Sequence, residues 1–144
     1  MSQILPQALT ETIENLGKLP GVGSRTAERY AYYLLKNNTT VSEKIADSLL
    51  NLHKNVKSCP ITFALISKDE EISPLYTDET RNKKLIAVVE EPLDIIALEK
   101  TKHFNGTYHV LGGVISPING ITPDQLHIRE LAERILKDGV QEII

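Results

Sequence analysis

The sequence predicts an α+β protein with a helical front, a small insert and a parallel α/β layer, and three features carry that prediction. Apolar residues recur at helical spacing through residues 1–57. Residues 58–80 hold short apolar pieces separated by charged stretches such as KDEE, which leaves the insert with little core of its own. From residue 81 to residue 144 the chain alternates strand, helix, strand, helix and strand, the order of a parallel layer.

Three helices are predicted in the front segment. They cover residues 6–16, 25–36 and 40–53. Ser24 stands immediately before the second helix and is a good N-cap residue. Thr40, with Glu43 three residues later, predicts a capping box for the third helix. The front segment is therefore helical throughout.

The α/β layer begins after an insert in which a short hairpin is the expected element. Its three strands are predicted at KLIAVVE, GTYHVL and VQEII. Pro92 is predicted to open the first intervening helix, PLDIIALEKT. Thr122 and Gln125 predict a capping box for a second helix that continues to about Lys137.

Composition and charge place the chain among ordinary globular proteins. Of its 144 residues, 41% are hydrophobic and 24% are charged. The amino terminus has no secretory signal, and the one cysteine suits a reducing compartment, so a cytoplasmic location is expected. Residues 1–57 carry seven Lys/Arg and five Asp/Glu, a net charge of +2, and the remainder carries −5. Phosphate contacts are therefore expected in the front segment.

The turn LPGVGSR between the first two helices predicts an anion site. Glycines at positions 21 and 23 permit positive φ and let the backbone approach a ligand. Backbone N–H groups at the start of the second helix favour phosphate, and Arg25 and Arg29 stand one turn apart on that helix. Such contacts are sequence-independent and weakened by salt. The alternative is a plain helical hairpin whose glycines only cap a helix.

Three strings of the sequence resemble the RecR family of bacterial recombination mediators, in order and spacing. They are LPGVGSRTAERYAYYLL, VVEEPLDIIALEKT and YHVLGGVISPINGITPDQL. The resemblance extends over nearly the whole chain from about Leu5. It implies a helix–hairpin–helix, a small zinc-binding finger and a Toprim α/β domain. It also implies a non-enzymatic DNA clamp that works with RecO and RecF to load RecA onto single-stranded DNA.

The resemblance assigns residues to two surfaces. The residues that it places at DNA are Lys18, Gly21, Gly23, Arg25 and Arg29, with Lys18 a lesser candidate. The residues that it places at an acidic, partner-facing edge of the Toprim layer are Glu90, Glu91, Asp94, Gly112 and Gly113.

The sequence departs from the family pattern at the finger. The family uses two C-x-x-C pairs, and the corresponding positions here are Cys59, Thr62, Ser73 and Tyr76. Structural zinc needs four thiolate or imidazole ligands, and no histidine lies between residues 54 and 102. We therefore expect a degenerate finger without zinc, in which Cys59 is a buried thiol.

A second departure concerns the carboxyl end. In the family the third Toprim strand continues into further strand–helix units and a basic, glycine-containing segment, whereas this chain stops at Ile144. The resemblance thus implies a partial Toprim domain. Family members form dimers and ring-shaped tetramers; here a dimer through the helical front is expected, and ring closure is not.

Two other functions compete with DNA mediation. Glu90 matches the glutamate of the Toprim signature, so a Toprim-type, magnesium-dependent nuclease or primase is one alternative. The later Asp-x-Asp pair that such enzymes use does not occur in the chain, and no enzymatic activity is expected. The other alternative is a protein–protein scaffold whose helical front does not bind DNA. His109 is expected to be a structural histidine.

Overall fold

A computed structural model describes residues 4–144 and divides the chain into two compact units. The first unit ends at Leu52 and the second spans His53–Ile144. Among the described residues, we find no helix with the length and apolar character that crossing a bilayer requires.

The first unit is helical, as the sequence predicts. Its helices are α1 (Gln7–Gly17), α2 (Ser24–Lys36) and α3 (Thr39–Asn55), the last of which runs three residues into the second unit. Helices α1 and α2 pack against each other, and Ala27 and Ala31 are the buried residues of α2. Small side chains on this face let the two helix backbones approach closely.

Two predicted helix caps are wrong, although the helices themselves form. Gly23, and not Ser24, is the N-cap of α2, because its extended backbone directs its carbonyl to the Ala27 N–H at 2.9 Å. Ser24 is instead the first helical residue. The capping box of Thr40 is also absent: the Asn38 side-chain oxygen accepts the Thr40 N–H at 3.2 Å and caps α3 earlier in the chain.

The second unit opens with the predicted short hairpin. Strand β1 (Val56–Ser58) pairs antiparallel with β2 (Leu65–Ser67), and a single turn of helix, α4 (Pro74–Thr77), follows. We call residues 56–77 the finger region. It contributes Ala64, together with the partly buried Phe63 and Leu75, to the core of the sheet that follows. Packing against the sheet supplies the core that the insert lacks by itself.

A three-stranded parallel sheet forms the rest of the second unit. Its elements are β3 (Asn82–Val89), α5 (Asp94–Thr101), β4 (Gly106–Val110), α6 (Ile128–Asp138) and β5 (Glu142–Ile143). The strand order is β4-β3-β5, with Val88 opposite His109 and Ile86 opposite Ile143. The predicted parallel α/β layer is therefore confirmed, and the carboxyl ends of β3 and β4 meet at one edge.

The helices of the layer begin later than the sequence predicts. Pro92 lies in a turn, and α5 begins at Asp94. The Thr122–Gln125 capping box is present, but it closes only a short 3₁₀ turn, Pro123–Gln125. Leu126 then adopts an extended backbone and is buried, and the His127 N–H donates to the Leu111 carbonyl at 3.0 Å. These contacts interrupt the helix, so that α6 starts at Ile128.

A buried arginine joins α6 to the sheet and to the finger region. Arg134 is only 5% exposed, and its guanidinium donates to the Tyr108 carbonyl and the Thr107 hydroxyl, each at 2.6 Å. Its Nε donates to Asp138 at 3.1 Å, and Tyr76 of α4 donates its hydroxyl to the same carboxylate. The guanidinium carbon also lies 4.9 Å from the Tyr76 ring centroid.

Helix α5 is held in place by a second charged group. Arg81 donates to both carboxylate oxygens of Glu99, at 2.9 and 2.6 Å, and to the Gly106 carbonyl. These bonds hold the pKa of Glu99 below its usual value. Burial, together with a hydrogen bond from the Tyr108 hydroxyl to Glu99, raises the pKa of Tyr108 to about 12. The Arg81–Glu99 pair therefore connects α5 to the residue before β3, and Arg81 also bonds to the start of β4.

We predict that Arg134→Met lowers the free energy of unfolding by about 3–4 kcal/mol, because it removes the charged partner of the Asp138 carboxylate and leaves the buried Thr107 hydroxyl without its guanidinium donor. Arg129→Met is the matched control. Arg129 also pairs with an acid four residues on in α6, but its side chain is 89% exposed, so a loss below about 0.5 kcal/mol is expected. Urea denaturation followed by circular dichroism measures both. Equal losses would contradict the structural role of Arg134.

Candidate nucleic-acid interface

The turn between α1 and α2 is built by short-range backbone hydrogen bonds. Lys18 caps α1 and donates its N–H to the Asn15 carbonyl at 3.3 Å, and the Leu19 N–H donates to Leu16 at 3.2 Å. The Val22 N–H then donates to the Leu19 carbonyl at 3.0 Å. Val22 is half-buried between exposed neighbours, and the turn is fixed by its own backbone hydrogen bonds.

The two glycines of the turn have different roles. Gly21 has a φ of +78°, a conformation that favours glycine strongly. Gly23 has a φ of −77° and a ψ of 167°, which any residue adopts. A Cβ added at either glycine meets no atom within 4 Å. Only Gly21 therefore shows the positive φ that the sequence allowed for both, and Gly23 leaves open space beside the start of α2.

The amino-terminal end of α2 has the properties of a phosphate site. Within the described part of the chain, no side chain caps the amino-terminal end of α2, and its first turn carries no acidic residue. The partial positive charge of the helix end is therefore not neutralised locally. Arg25 and Arg29 are both exposed, one turn apart, on the same helix. This arrangement suits a phosphate that approaches over Gly23.

Lys18 is more constrained than the two arginines. Its ammonium donates to the side-chain oxygen of Asn15 at 2.9 Å, although the residue is exposed. It lies on the turn itself, beside the glycines. Its position is compatible with a phosphate contact, provided that the bond to Asn15 is exchanged for it.

The acidic residues of the second unit lie where β3 ends. Glu90 and Glu91 are exposed, and the Asp94 carboxylate accepts the Glu91 N–H at 2.8 Å, so Asp94 closes the local turn. The Gly112 N–H donates to the Glu90 carbonyl at 2.9 Å. Gly112 and Gly113 have φ values of +86° and +149°. The structure thus brings the acidic stretch and the glycine pair together at one edge of the sheet.

His109 lies inside the second unit. It is fully buried, its Nε2 lies 2.8 Å from the His127 carbonyl, and its Nδ1 has no partner among the described residues. Burial lowers the pKa of His109. Its ring packs edge-on against Phe63, which itself stacks on the His127 ring. Sequence patterns do not predict this aromatic stack, because its members are far apart along the chain.

The four finger positions do not offer a zinc donor set. Cys59 is the one thiol, and within residues 4–144 no three His, Cys, Asp or Glu side chains are grouped as metal ligands. The Cys59 sulfur instead accepts the backbone N–H groups of Thr62 and Ser73, at 3.5 and 3.3 Å. Tyr76 turns towards Asp138. Hydroxyl groups are poor zinc ligands beside a single thiolate, so these residues do not fit the metal.

Hydrogen bonds hold the finger region together at this point. Cys59, Thr62 and Ser73 are all buried, and the Thr62 carbonyl accepts the Val110 N–H of β4 at 2.9 Å. Burial opposes ionisation of the thiol, but the hydrogen bonds from Thr62, Ile61 and Ser73 outweigh it and lower the pKa of Cys59. The finger region is therefore hydrogen-bonded to β4 through the backbone of Thr62.

Comparison with known proteins identifies the family. Residues 9–53 match the model of the RecR helix-hairpin-helix, and residues 84–144 match that of the Toprim domain. The chain is 42% identical to recombination protein RecR of Desulfosudis oleivorans over 139 residues, which are 96% of this chain and 69% of the relative. It is 40% identical to RecR of Tropheryma whipplei over 134 residues, 93% of this chain and 67% of the relative.

The chain belongs to the RecR family. Membership implies a role in DNA recombination and repair, and it confirms the α+β fold class with a helix–hairpin–helix followed by a Toprim layer. The matched helix–hairpin–helix contains the turn and α2, and the matched Toprim region contains the acidic edge.

We predict that the purified protein carries well below one zinc ion per chain and that EDTA leaves its melting temperature unchanged, because hydrogen bonds to Cys59 replace the metal. Elemental analysis and thermal unfolding measure these properties. The triple variant T62C/S73C/Y76C, which restores both C-x-x-C pairs, is the positive control for zinc uptake. A stoichiometric zinc content in the unmodified chain would contradict the prediction.

Proposed function

We propose that this protein is a DNA-binding recombination mediator, which acts without chemistry of its own and helps to load RecA onto single-stranded DNA. The observation that carries the proposal is the amino-terminal end of α2, whose N-cap Gly23 has no side chain and leaves open space, with Arg25 and Arg29 beside it. Family membership supports the same function.

The proposed contacts are to phosphate and not to bases. Backbone N–H groups and two arginines at a helix end bind phosphate oxygens, which occur identically along any DNA strand. Binding to single- and double-stranded DNA is therefore sequence-independent, and it weakens as salt rises because counterions compete for the same phosphates. A mediator that acts anywhere on a chromosome needs this kind of binding.

We further propose that the acidic edge of the second unit binds RecO or RecF, and that the protein is a homo-oligomer. Glu90 and Glu91 are exposed, and Gly112 and Gly113 present backbone beside them. Exposed carboxylates around accessible backbone suit a basic partner surface. Within the described residues Glu90 belongs to no group of metal ligands, so the proposal assigns the glutamate to recognition and not to magnesium-dependent cleavage.

We predict that Gly23→Val and Arg25→Ala each weaken DNA binding by about five- to tenfold. Valine is compatible with the backbone at residue 23 and meets no neighbouring atom, so it blocks the approach of a phosphate without straining the fold. Arg25→Ala removes one phosphate contact and reduces the slope of log K against log salt by about 0.7–0.9. Fluorescence anisotropy with labelled single- and double-stranded oligonucleotides across a salt series measures both effects.

Lys44→Ala is the matched control, because Lys44 is an exposed cation of α3 that lies outside the proposed DNA site. It is expected to leave the affinity within about twofold. Binding that ignores Gly23→Val and Arg25→Ala would contradict the proposed site. No binding to either kind of DNA at low salt would favour the scaffold function instead.

A further inference from the structure

Helix α2 presents a face of tyrosines and cations to solvent. Relative to Arg25, the residues four, seven, eight and eleven positions later fall on the same side of a helix. They are Arg29, Tyr32, Tyr33 and Lys36, and Tyr30 borders them. We call Arg29, Tyr30, Tyr32, Tyr33 and Lys36 the tyrosine face. Apart from Tyr30, which lies at its margin, this face is on the side of α2 away from the buried Ala27 and Ala31.

The rings of this face are open to solvent. Tyr30, Tyr32 and Tyr33 are 49%, 61% and 58% exposed. Together with Arg29 and Lys36 they line a shallow groove of about 550 Å³. Among the described residues, none that lines the groove is acidic. The exposed Glu28 borders it, three residues after Arg25 and four before Tyr32.

Aromatic and cationic side chains in one groove suit unpaired nucleic acid. Every base has a flat π surface that stacks on a tyrosine ring, and each phosphate is attracted by the neighbouring cations. A duplex hides its base faces within the stack, so it gains only the phosphate contacts. Arg25, Arg29 and Lys36 outnumber the single neighbouring acid, Glu28, so the net positive charge of this side of α2 favours a polyanion.

We propose that the tyrosine face is a base-stacking platform that makes single-stranded DNA the preferred ligand of this unit. The inference rests on the proposed function, since a strand held at the amino-terminal end of α2 continues directly onto the platform. Arg25 and Lys36 are eleven residues apart, which is about 16 Å along the helix. A strand lying along α2 places its phosphates near Arg25, Arg29 and Lys36 and its bases on the rings.

The experiment compares variants of the full chain in binding oligo-dT and a duplex of equal length. Tyr32→Leu and Tyr33→Leu remove the rings and keep good helix-forming residues at exposed positions. We expect each to weaken oligo-dT binding by about five- to fiftyfold, to leave duplex binding within about twofold, and to leave the salt slope unchanged. Tyr32→Phe and Tyr33→Phe keep the ring and are expected to retain the affinity.

Tyrosine emission supplies an independent readout. The chain contains no tryptophan and five tyrosines, three of which belong to the tyrosine face. Oligo-dT is expected to quench this emission through stacking, and less so in the double variant Y32L/Y33L. Quenching by the duplex is expected to be small for every variant.

The outcomes separate this inference from the proposed function. Oligo-dT binding that is lost in Arg25→Ala but insensitive to both leucine variants would overturn the platform and leave the phosphate site standing. Leucine variants that alter the oligomeric state in analytical ultracentrifugation, with unchanged oligo-dT affinity, would overturn the platform in favour of a contact between copies of the chain. Absence of any DNA binding would overturn the inference together with the proposed function.

Discussion

The buried guanidinium of Arg134 is the interaction on which the second unit depends most. It binds a carbonyl and a hydroxyl of β4, a carboxylate of its own helix and the face of a finger tyrosine. One side chain therefore fixes three elements that are distant in the sequence. The carboxyl end of β4, where Gly112 and Gly113 lie, takes its position from this anchored strand. A buried charge is tolerated there because each of its three nitrogens donates a hydrogen bond and one acceptor is the Asp138 carboxylate.

The same network explains how a finger without metal ligands keeps its shape. The sulfur of Cys59 accepts two backbone N–H groups, the Thr62 carbonyl accepts the Val110 N–H, and Tyr76 bonds to the carboxylate that Arg134 holds. Ala64 adds an apolar contact with the sheet core. In physical terms, a local metal cross-link is replaced by long-range contacts, so folding of the finger region is coupled to that of the sheet.

Periodicity in the sequence predicts the elements well and their ends poorly. The buried run of β3 and the helical repeats of α1 to α3 specify their own structure, because the pattern and the local propensity agree. The start of α6 is different: burial of Leu126 and the bond from His127 to Leu111 override a sound capping signal. Arg134 and Arg129 have the same sequence context, since each is followed four residues later by an acidic residue. Only the tertiary structure shows that Arg129 is exposed and Arg134 is buried.

In the candidate site, too, some features are predicted by the local sequence and others depend on tertiary contacts. A positive φ at Gly21 and the exposed Arg25 and Arg29 are what the turn sequence predicts, because a hairpin of two helices is a local structure. Glu90 and Gly112 come together only because strands β3 and β4 pair. The sequence motifs give the order of these residues along the chain but not their distance in space. The exposure of the tyrosine face depends on which side of α2 packs against α1, and helical spacing alone does not determine that side.

If DNA and protein partners bind different compact units of the chain, a two-stage NMR titration separates the two surfaces. Amide spectra of the labelled protein are recorded first with oligo-dT and then with unlabelled RecO. We expect DNA to shift amides at residues 21–36 and to leave the sheet unchanged, and RecO then to shift or broaden those at residues 90–94 and 112–113. DNA-induced shifts confined to His53–Ile144 would contradict this expectation.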